Sequence, residues 1–377
     1  LLELADPQAE VAPVLTIGAL VVPLAEVYAQ ATIRHGRAEP DDQPTSSTIQ
    51  LALTGWASDQ VRAGQELAFD YAGVPRFRGQ VSDVAIRFPA GLAALELTGA
   101  GNLARIARRK IGYGDWPAEP WSDRAARIMA EAGWSAYLID PPPPSDQVVM
   151  AARLASETTV NAMLTDLAVT GAAAITDLPD GVILLQPLSA RHAASDAFQL
   201  PADEVAFAPA WRQALDVVNL AVVAYGPIED SHTVSTRNAS SVNTYGERSS
   251  ELATTFAAIE DASARGLQLV TRLAVPRWLV DSVILFGLPA GELRPGRRAI
   301  LSSLPLGSPV GSSFAAALEG WTESLEGDDW TTTLSLSDPA RSGLTITWDT
   351  APADLAWREV DPACQWQTAY SADDLEG

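Results

Sequence analysis

The chain has 377 residues, 47% hydrophobic and 19% charged, which is the length of about two to four domains with ample material for packed cores. A net charge of −22 excludes sequence-specific DNA or RNA binding and anionic membrane surfaces, because so acidic a surface repels phosphate. The single cysteine, Cys364, excludes an intrachain disulfide and any CxxC metal or redox site.

The longest apolar stretch, residues 11–29, is interrupted by Pro13, Pro23 and Glu26 and has no basic region before it. It falls short of the roughly 20 residues a membrane helix needs, so neither an anchor nor a signal peptide is expected. Residues 14–98 then read mainly as strands. "TIQLALTGWA" (48–57), "ELAFDYAG" (66–73), "FRGQVSDVAIRF" (77–88) and "LAALELTG" (92–99) place apolar residues near every second position between Gly and Pro turns. "NLARIARRK" (102–110) reads as a short helix with a basic end.

A connector, "GYGDWPAEPW", starts at residue 112. The stretch 122–134 predicts a helix capped by Ser122 and stopped by Gly133, and 158–171 predicts a second amphipathic helix. Between them "PPPP" (141–144) reads as a stiff spacer. Residues 172–188 form a hairpin around "LPDG". Strand character returns at 214–226, a polar stretch covers 231–252, a helix is expected around 257–274, and strands run from 281 to 350. The expected organisation is mainly β with α+β insertions. Two similar antiparallel β-barrels occupy 1–111 and, together, 205–230 and 276–350. An α+β insertion spans 112–204, a polar and helical insertion spans 231–275, and 351–377 is an acidic irregular segment.

The two barrels are expected from a weak repeat. "VRAGQELAF" (61–69) matches "LRPGRRAIL" (293–301), "FRGQVSD" (77–83) matches "LEGWTES" (318–324), and "LELT" (95–98) matches "LSLS" (334–337).

Five carboxylates, Glu319, Glu323, Glu326, Asp328 and Asp329, lie in or beside the interval from Trp321 to Trp330. Acids with indoles suit glycoside cleavage, which needs two carboxylates held about 5–10 Å apart with one pKa raised. Acids around the turn-forming "EGDD" equally suit a hairpin with a solvated face, and that face is where Glu319 and Glu323 are expected. "TGAGNLA" (98–104) matches G-x-G-x-x-A between a strand and a helix, yet no parallel strand ending in an acid follows about 20 residues later, so a dinucleotide site is not expected. His35, His192 and His232 lack a second ligand at metal spacing. "RIARRK" (105–110) reads as a solvated helix end, and the eleven tryptophans, spread over every segment, read as core anchors or subunit contacts. No catalytic, cofactor-binding or metal-binding residue is assigned.

Four stretches carry a resemblance in their order: "FRGQVSDVAIRF…LELTGAGNLARIARRKIG" with "WSDRAARIMAEAGW", "VNAMLTDLAVTGAAAITDLPDGVILLQP", "VVNLAVVAYG…SVNTYGERSSELAT…PRW", and "LEGWTESLEGDDWTTTLSLSDP". Across nearly its whole length the chain resembles the tail-hub, or minor tail protein, family of tailed bacteriophages, related to the spike-base proteins of contractile injection systems. The resemblance implies a structural subunit without catalysis or cofactor. Three chains would form a ring that adapts a sixfold tail tube to threefold tip parts. The implied partners are further copies of the chain, the distal tail protein ring, the tape-measure protein and tail-tip fibres or spike, with genome DNA passing unbound through the channel. The implied location is the virion tail tip, after assembly in the host cytoplasm. The other reading is an envelope carbohydrate-binding or glycoside-cleaving protein that uses the acids and Trp near 319–330.

Overall fold

The computed structural model describes residues 13–337, except 23, 25–27, 39–43, 89–90, 142–146, 189, 191–196, 202–210, 215, 281, 288–292 and 327–328. The strand expected at 344–350 and the segment 351–377 lie outside the described residues. The fold is mainly β with curled sheets.

Seven strands form the first half: β1 (Val14–Ile17), β2 (Leu20–Val22), β3 (Tyr28–Gly36), β4 (Thr48–Thr54), β5 (Glu66–Tyr71), β6 (Val74–Arg87) and β7 (Ala94–Gly101). They pair antiparallel in the order β3-β4-β7-β6-β5-β1-β2. Alternation decides what is buried. On β4, Ile49, Leu51 and Leu53 point inward, between the exposed or half-buried Thr48, Gln50, Ala52 and Thr54. Residues from β1 and from β3 share one core with Phe69, Phe77 and Leu97.

The middle segment begins with α1 (Asn102–Ile106), shorter than the expected helix, and continues through β8 (Lys110–Ile111), β9 (Glu119–Pro120), α2 (Trp121–Glu131), β10 (Tyr137–Ile139), β11 (Val149–Met150), β12 (Thr158–Thr159), α3 (Val160–Gly171), β13 (Ala174–Asp177) and β14 (Ile183–Gln186). Ser122 is not the cap of α2. Pro120 occupies that position, and Ser122 lies inside the first turn. Thr159 does cap α3, its hydroxyl accepting from the Ala162 N–H at 3.2 Å. β13 and β14 make the expected hairpin, and β10 adds to β14 in parallel. Trp121, Ile128, Leu164, Leu167 and Ile175 form this segment's core.

The rest comprises β15 (Ala197–Pro201), β16 (Trp211–Ala214), β17 (Leu220–Tyr225), β18 (His232–Arg237), α4 (Ala239–Tyr245), β19 (Ser249–Phe256), α5 (Ile259–Arg272), β20 (Arg277–Val280), β21 (Ser282–Phe286), β22 (Arg298–Ser302), β23 (Phe314–Glu326) and β24 (Asp329–Ser337). Two strands sit elsewhere than expected. β17 does not join the second barrel but a five-stranded sheet in the order β18-β17-β19-β11-β9. β15, expected in the insertion, pairs in parallel with β22. The polar stretch 231–252 holds β18, α4 and the start of β19. The Ser, Thr and Glu side chains of the two strands hid them, while β17 supplies the backbone pairing on both sides.

The two halves repeat one unit. The orders β4-β7-β6-β5-β1 and β21-β24-β23-β22-β15 correspond strand by strand, although β1 runs antiparallel to β5 and β15 parallel to β22. Backbone bonds fix the register. Gly64 N–H donates to Val81 O at 2.8 Å, and Gly296 N–H to Leu318 O at 2.7 Å. Gly55 N–H donates to Ala93 O at 2.8 Å, and Gly287 N–H to Trp330 O at 2.7 Å. Gly64 and Gly296 have φ of 89° and 84°, a conformation that favours glycine. Bulges fall at Ser82 and Glu319, between Val81 and Asp83 and between Leu318 and Gly320. The first sequence match is therefore in register. The second is displaced by four residues, since Val81 rather than Phe77 corresponds to Leu318, and the third by two.

Candidate functional site at the joint between the repeats

β3 belongs to the first repeat yet pairs on its other side with β23 of the second, from Gly320 opposite Gly36 to Glu326 opposite Gln30. One continuous sheet therefore runs through both repeats. The acidic stretch singled out in the sequence lies in this joint.

It is a hairpin, but Glu319 and Glu323 do not lie on a solvated face. They are 0% and 1% exposed. The reason is that β23 runs between two cores. Leu318 and Trp321 pack in the core of the second repeat, whereas Leu325 and Trp330 pack in that of the first. Arginines from the first repeat meet both acids. Glu319 Oε2 accepts from Arg37 Nε and its Oε1 from the Ser337 hydroxyl. Glu323 Oε1 accepts from Trp321 Nε1 at 3.0 Å and from Arg76 Nη1 at 3.4 Å. Its Oε2 is buried without a hydrogen-bond partner among the described residues. Burial pushes the Glu323 carboxyl above the usual range, against the pull of Arg76 and the Trp321 N–H.

His35 stacks on Trp321 with ring centroids 5.0 Å apart. Its Nε2 lies 2.8 Å from the Arg76 carbonyl, which only accepts, so in the neutral ring Nε2 carries the proton, while Nδ1 lies 2.9 Å from the Ser47 hydroxyl, whose single proton it shares with the Asp177 carbonyl at 3.1 Å. Burial holds its pKa down at about 4, the carbonyl bond opposing this and the Arg76 charge adding to it. Chemically the joint is a sealed clamp. Among the described residues its carboxylates face arginines and its indoles face core.

No family model and no curated protein matches the sequence. Solved structures do. The 43 kDa tail protein of prophage MuSo2 from Shewanella oneidensis aligns over 88% of this chain and 98% of its own, with a TM-score of 0.62 at 13% identity. A tail protein from Neisseria meningitidis aligns over 88% and 98%, with a TM-score of 0.64 at 12% identity. A component of the Escherichia coli type VI secretion system, described as structurally similar to the T4 tail proteins gp27 and gp5, aligns over 86% and 76%, with a TM-score of 0.51 at 11% identity. The chain has the fold of a phage tail protein.

Within this fold the chain's own groups occupy the remaining motifs. The helix start of "TGAGNLA" is filled from inside by Asp177 of β13, which accepts from Leu103 N at 2.7 Å, Ser46 Oγ at 2.9 Å and Ser47 N at 3.0 Å. Burial pushes this carboxyl up to about 6, against those bonds. A Cβ at Gly101 would stand 2.7 Å from Asp177 Cγ, so that glycine serves close packing. In "RIARRK" the Arg105 guanidinium lies 5.6 Å from the centre of the Trp134 ring, Arg109 donates to Ala132 O, and Lys110 pairs with Glu157 at 3.5 Å. Trp116, Trp121, Trp321 and Trp330 are buried anchors. His192, Trp348, Trp357 and Trp366 lie outside the described residues. Among the described residues no group of three or more His, Cys, Asp or Glu is placed to hold a metal, and no helix is long and apolar enough to cross a membrane.

The clamp gives stability a pH dependence. His35 takes up its proton near pH 6.5 when unfolded and near 4 when folded, so its contribution is complete above 6.5 and falls as pH drops toward 4. The loss is about 2 kcal/mol by pH 5. Glu323, with a raised folded pKa, acts in the opposite direction and gains stability on acidification. Urea melts from pH 7 to 5 are expected to show a shallower decline for His35→Gln than for wild type and a steeper one for Glu323→Gln. Parallel slopes in all three would remove His35 and Glu323 as the source.

Proposed function

We propose that this chain is a structural subunit of a phage tail tip, a hub without catalytic activity that forms a trimeric ring around the DNA channel. The observation that supports the reading is the pair of repeats fused through β3 and β23 into one sheet. Three such chains carry six similar units, which suits docking on a sixfold tube from one side and threefold tip parts from the other. The distal tail ring, the tape-measure protein and fibres or spike are the partners this position implies. The net charge of −22 suits a lumen that offers few cations to passing phosphates. The segments outside the repeats, from β8 to β14 and from β17 to α5, would carry contacts outside the ring. Glu319 and Glu323, the acids of the glycosidase reading, are held inside the joint, and the hub reading uses them as a clamp. The test is the solution mass of the purified 39.9 kDa chain with a map of the assembled tail. A trimer on the tail axis supports the reading. A chain located off that axis overturns it.

A further inference from the structure

The three-stranded sheet β10-β14-β13 is fastened to both repeats. At one side β13 rests on the first repeat. Thr45 N–H donates to Ile175 O at 3.0 Å, and Thr45 pairs with Thr176 in a parallel bridge. Asp177, buried at the end of β13, takes Ser46 Oγ and Ser47 N–H on its Oδ2 and Leu103 N–H on its Oδ1. Its backbone carbonyl accepts from the Ser47 hydroxyl at 3.1 Å. At the other side Asp140, which follows β10, reaches the second repeat. Its Oδ1 accepts from Arg294 Nη2 at 2.7 Å and its Oδ2 from Gln186 Nε2 of β14 at 2.8 Å. The sheet is therefore a strap across the two halves of the chain.

Ser47 stands where the strap meets the clamp. It is buried, and Asp177 holds both its N–H and its hydroxyl, while Gly101 N–H donates to its carbonyl at 2.8 Å. The same hydroxyl lies 2.9 Å from His35 Nδ1. His35 stacks on Trp321, and its Nε2 bonds to the carbonyl of Arg76, whose Nη1 reaches Glu323. A run of buried groups, Asp177, Ser47, His35, Arg76 and Glu323, thus passes from the middle segment through the first repeat into the second. If the strap lifts, Ser47 loses the groups that fix it. His35 Nδ1 is then left buried without a placed donor, which costs free energy.

We infer that Ser47 couples the seating of the strap to the closure of the joint, so that displacing β13 from the first repeat loosens the contact of β3 with β23. The use of this device rests on the hub reading: there the middle segment carries contacts outside the ring, and a partner that shifts it acts on the joint by this route. The geometry gives the sign. Lifting the strap frees the Ser47 proton for His35 alone, but it also breaks the bond from Ser47 N–H to Asp177 Oδ2, 3.0 Å long, that places the hydroxyl beside the ring. A donor that is no longer held in place serves a buried acceptor less well.

The test is amide hydrogen exchange of the full chain, resolved to single residues. Thr45 N–H reports on the strap. Arg37 N–H, which donates to Glu319 O at 3.0 Å, reports on the joint. Ala151 N–H, which donates to Thr255 O at 2.7 Å, reports on the middle segment beside the five-stranded sheet. Asp177→Asn keeps the side chain's shape but sets an amide N–H against donors. It is expected to speed exchange roughly threefold or more at Thr45 and at Arg37, and to leave Ala151 unchanged. In a Ser47→Ala background, and independently in His35→Phe, Asp177→Asn is expected to act on Thr45 and no longer on Arg37. Unchanged or slower exchange at Arg37 in Asp177→Asn overturns the coupling, and so does an Arg37 response that survives both backgrounds. Equal acceleration at all three amides is global opening and overturns it too. Each of these outcomes leaves the hub reading standing, because solution mass and position on the tail axis decide that reading separately.

Discussion

Glu319→Ala is expected to lower the unfolding free energy by about 3–5 kcal/mol, the usual cost of removing one partner from a buried ion pair. Arg37 is 5% exposed and its Nε faces Glu319 Oε2, so the variant keeps a guanidinium in the joint while deleting the carboxylate opposite it. The Ser337 hydroxyl, 2.6 Å from Glu319 Oε1, loses its acceptor as well. Because Arg37 comes from the first repeat and Glu319 from the second, the damage should concentrate where the two meet. Trp321, 2% exposed beside Glu323 and His35, reports on that place through its fluorescence. A double replacement, Arg37→Met with Glu319→Leu, removes both charges and is expected to recover most of the loss, because well-packed apolar side chains match or exceed buried ion pairs. If Glu319→Ala costs less than about 1 kcal/mol in urea titrations, the pair does not hold the joint.

Glu323 also shows where sequence reasoning lost the site. It shares strand parity with Trp321 and Leu325, both of which are core, and that alternation was readable. Assigning it to water followed from the charge and from the adjacent turn residues. What the chain does not announce locally is the partner: Arg37 is 282 residues from Glu319, and Arg76 is 247 residues from Glu323. The bulge at Glu319 adds to the difficulty, since it changes which residues face inward midway along β23. Strands with clean alternation, such as β4, were legible with their boundaries nearly right. So were α3 and the β13–β14 hairpin, whereas the Thr159 cap was not singled out. β18 and β19 were not, because their stability comes from pairing with β17 and from α5 packed on them rather than from their own side chains. The duplication was legible through its turn glycines, Gly64 and Gly296. The matches downstream slipped because strands of small alternating residues align almost equally well at shifts of two or four.

Gly36→Ala and Gly320→Ala are each expected to cost about 3 kcal/mol or more, by steric overlap rather than by lost charge. The two glycines face each other in the β3–β23 register. A Cβ at Gly36 would stand 2.6 Å from Gly320 Cα, and one at Gly320 would stand 2.7 Å from both Arg37 N and Arg37 O. These neighbours are backbone atoms of paired strands and cannot swing aside as a flexible side chain would. Relief requires the strands to part, which loosens the backbone bond from Arg37 N–H to Glu319 O, 3.0 Å long, together with the ion pair beside it. Gly36 carries a second penalty, because its φ of 69° is left-handed and an L side chain there costs about 1–2 kcal/mol more. Gly36→Ala should therefore be the more damaging of the two. Gly73 has a φ of 77° and nothing within 4 Å of where its Cβ would stand. It separates the causes, since Ala there meets the conformational cost alone. Thermal melts that rank Gly36→Ala below Gly320→Ala, and both well below Gly73→Ala, place the limit at close approach across the joint. Equal melting temperatures for Gly73→Ala and Gly320→Ala would show that the strands separate freely and that the repeats are not fused by this contact.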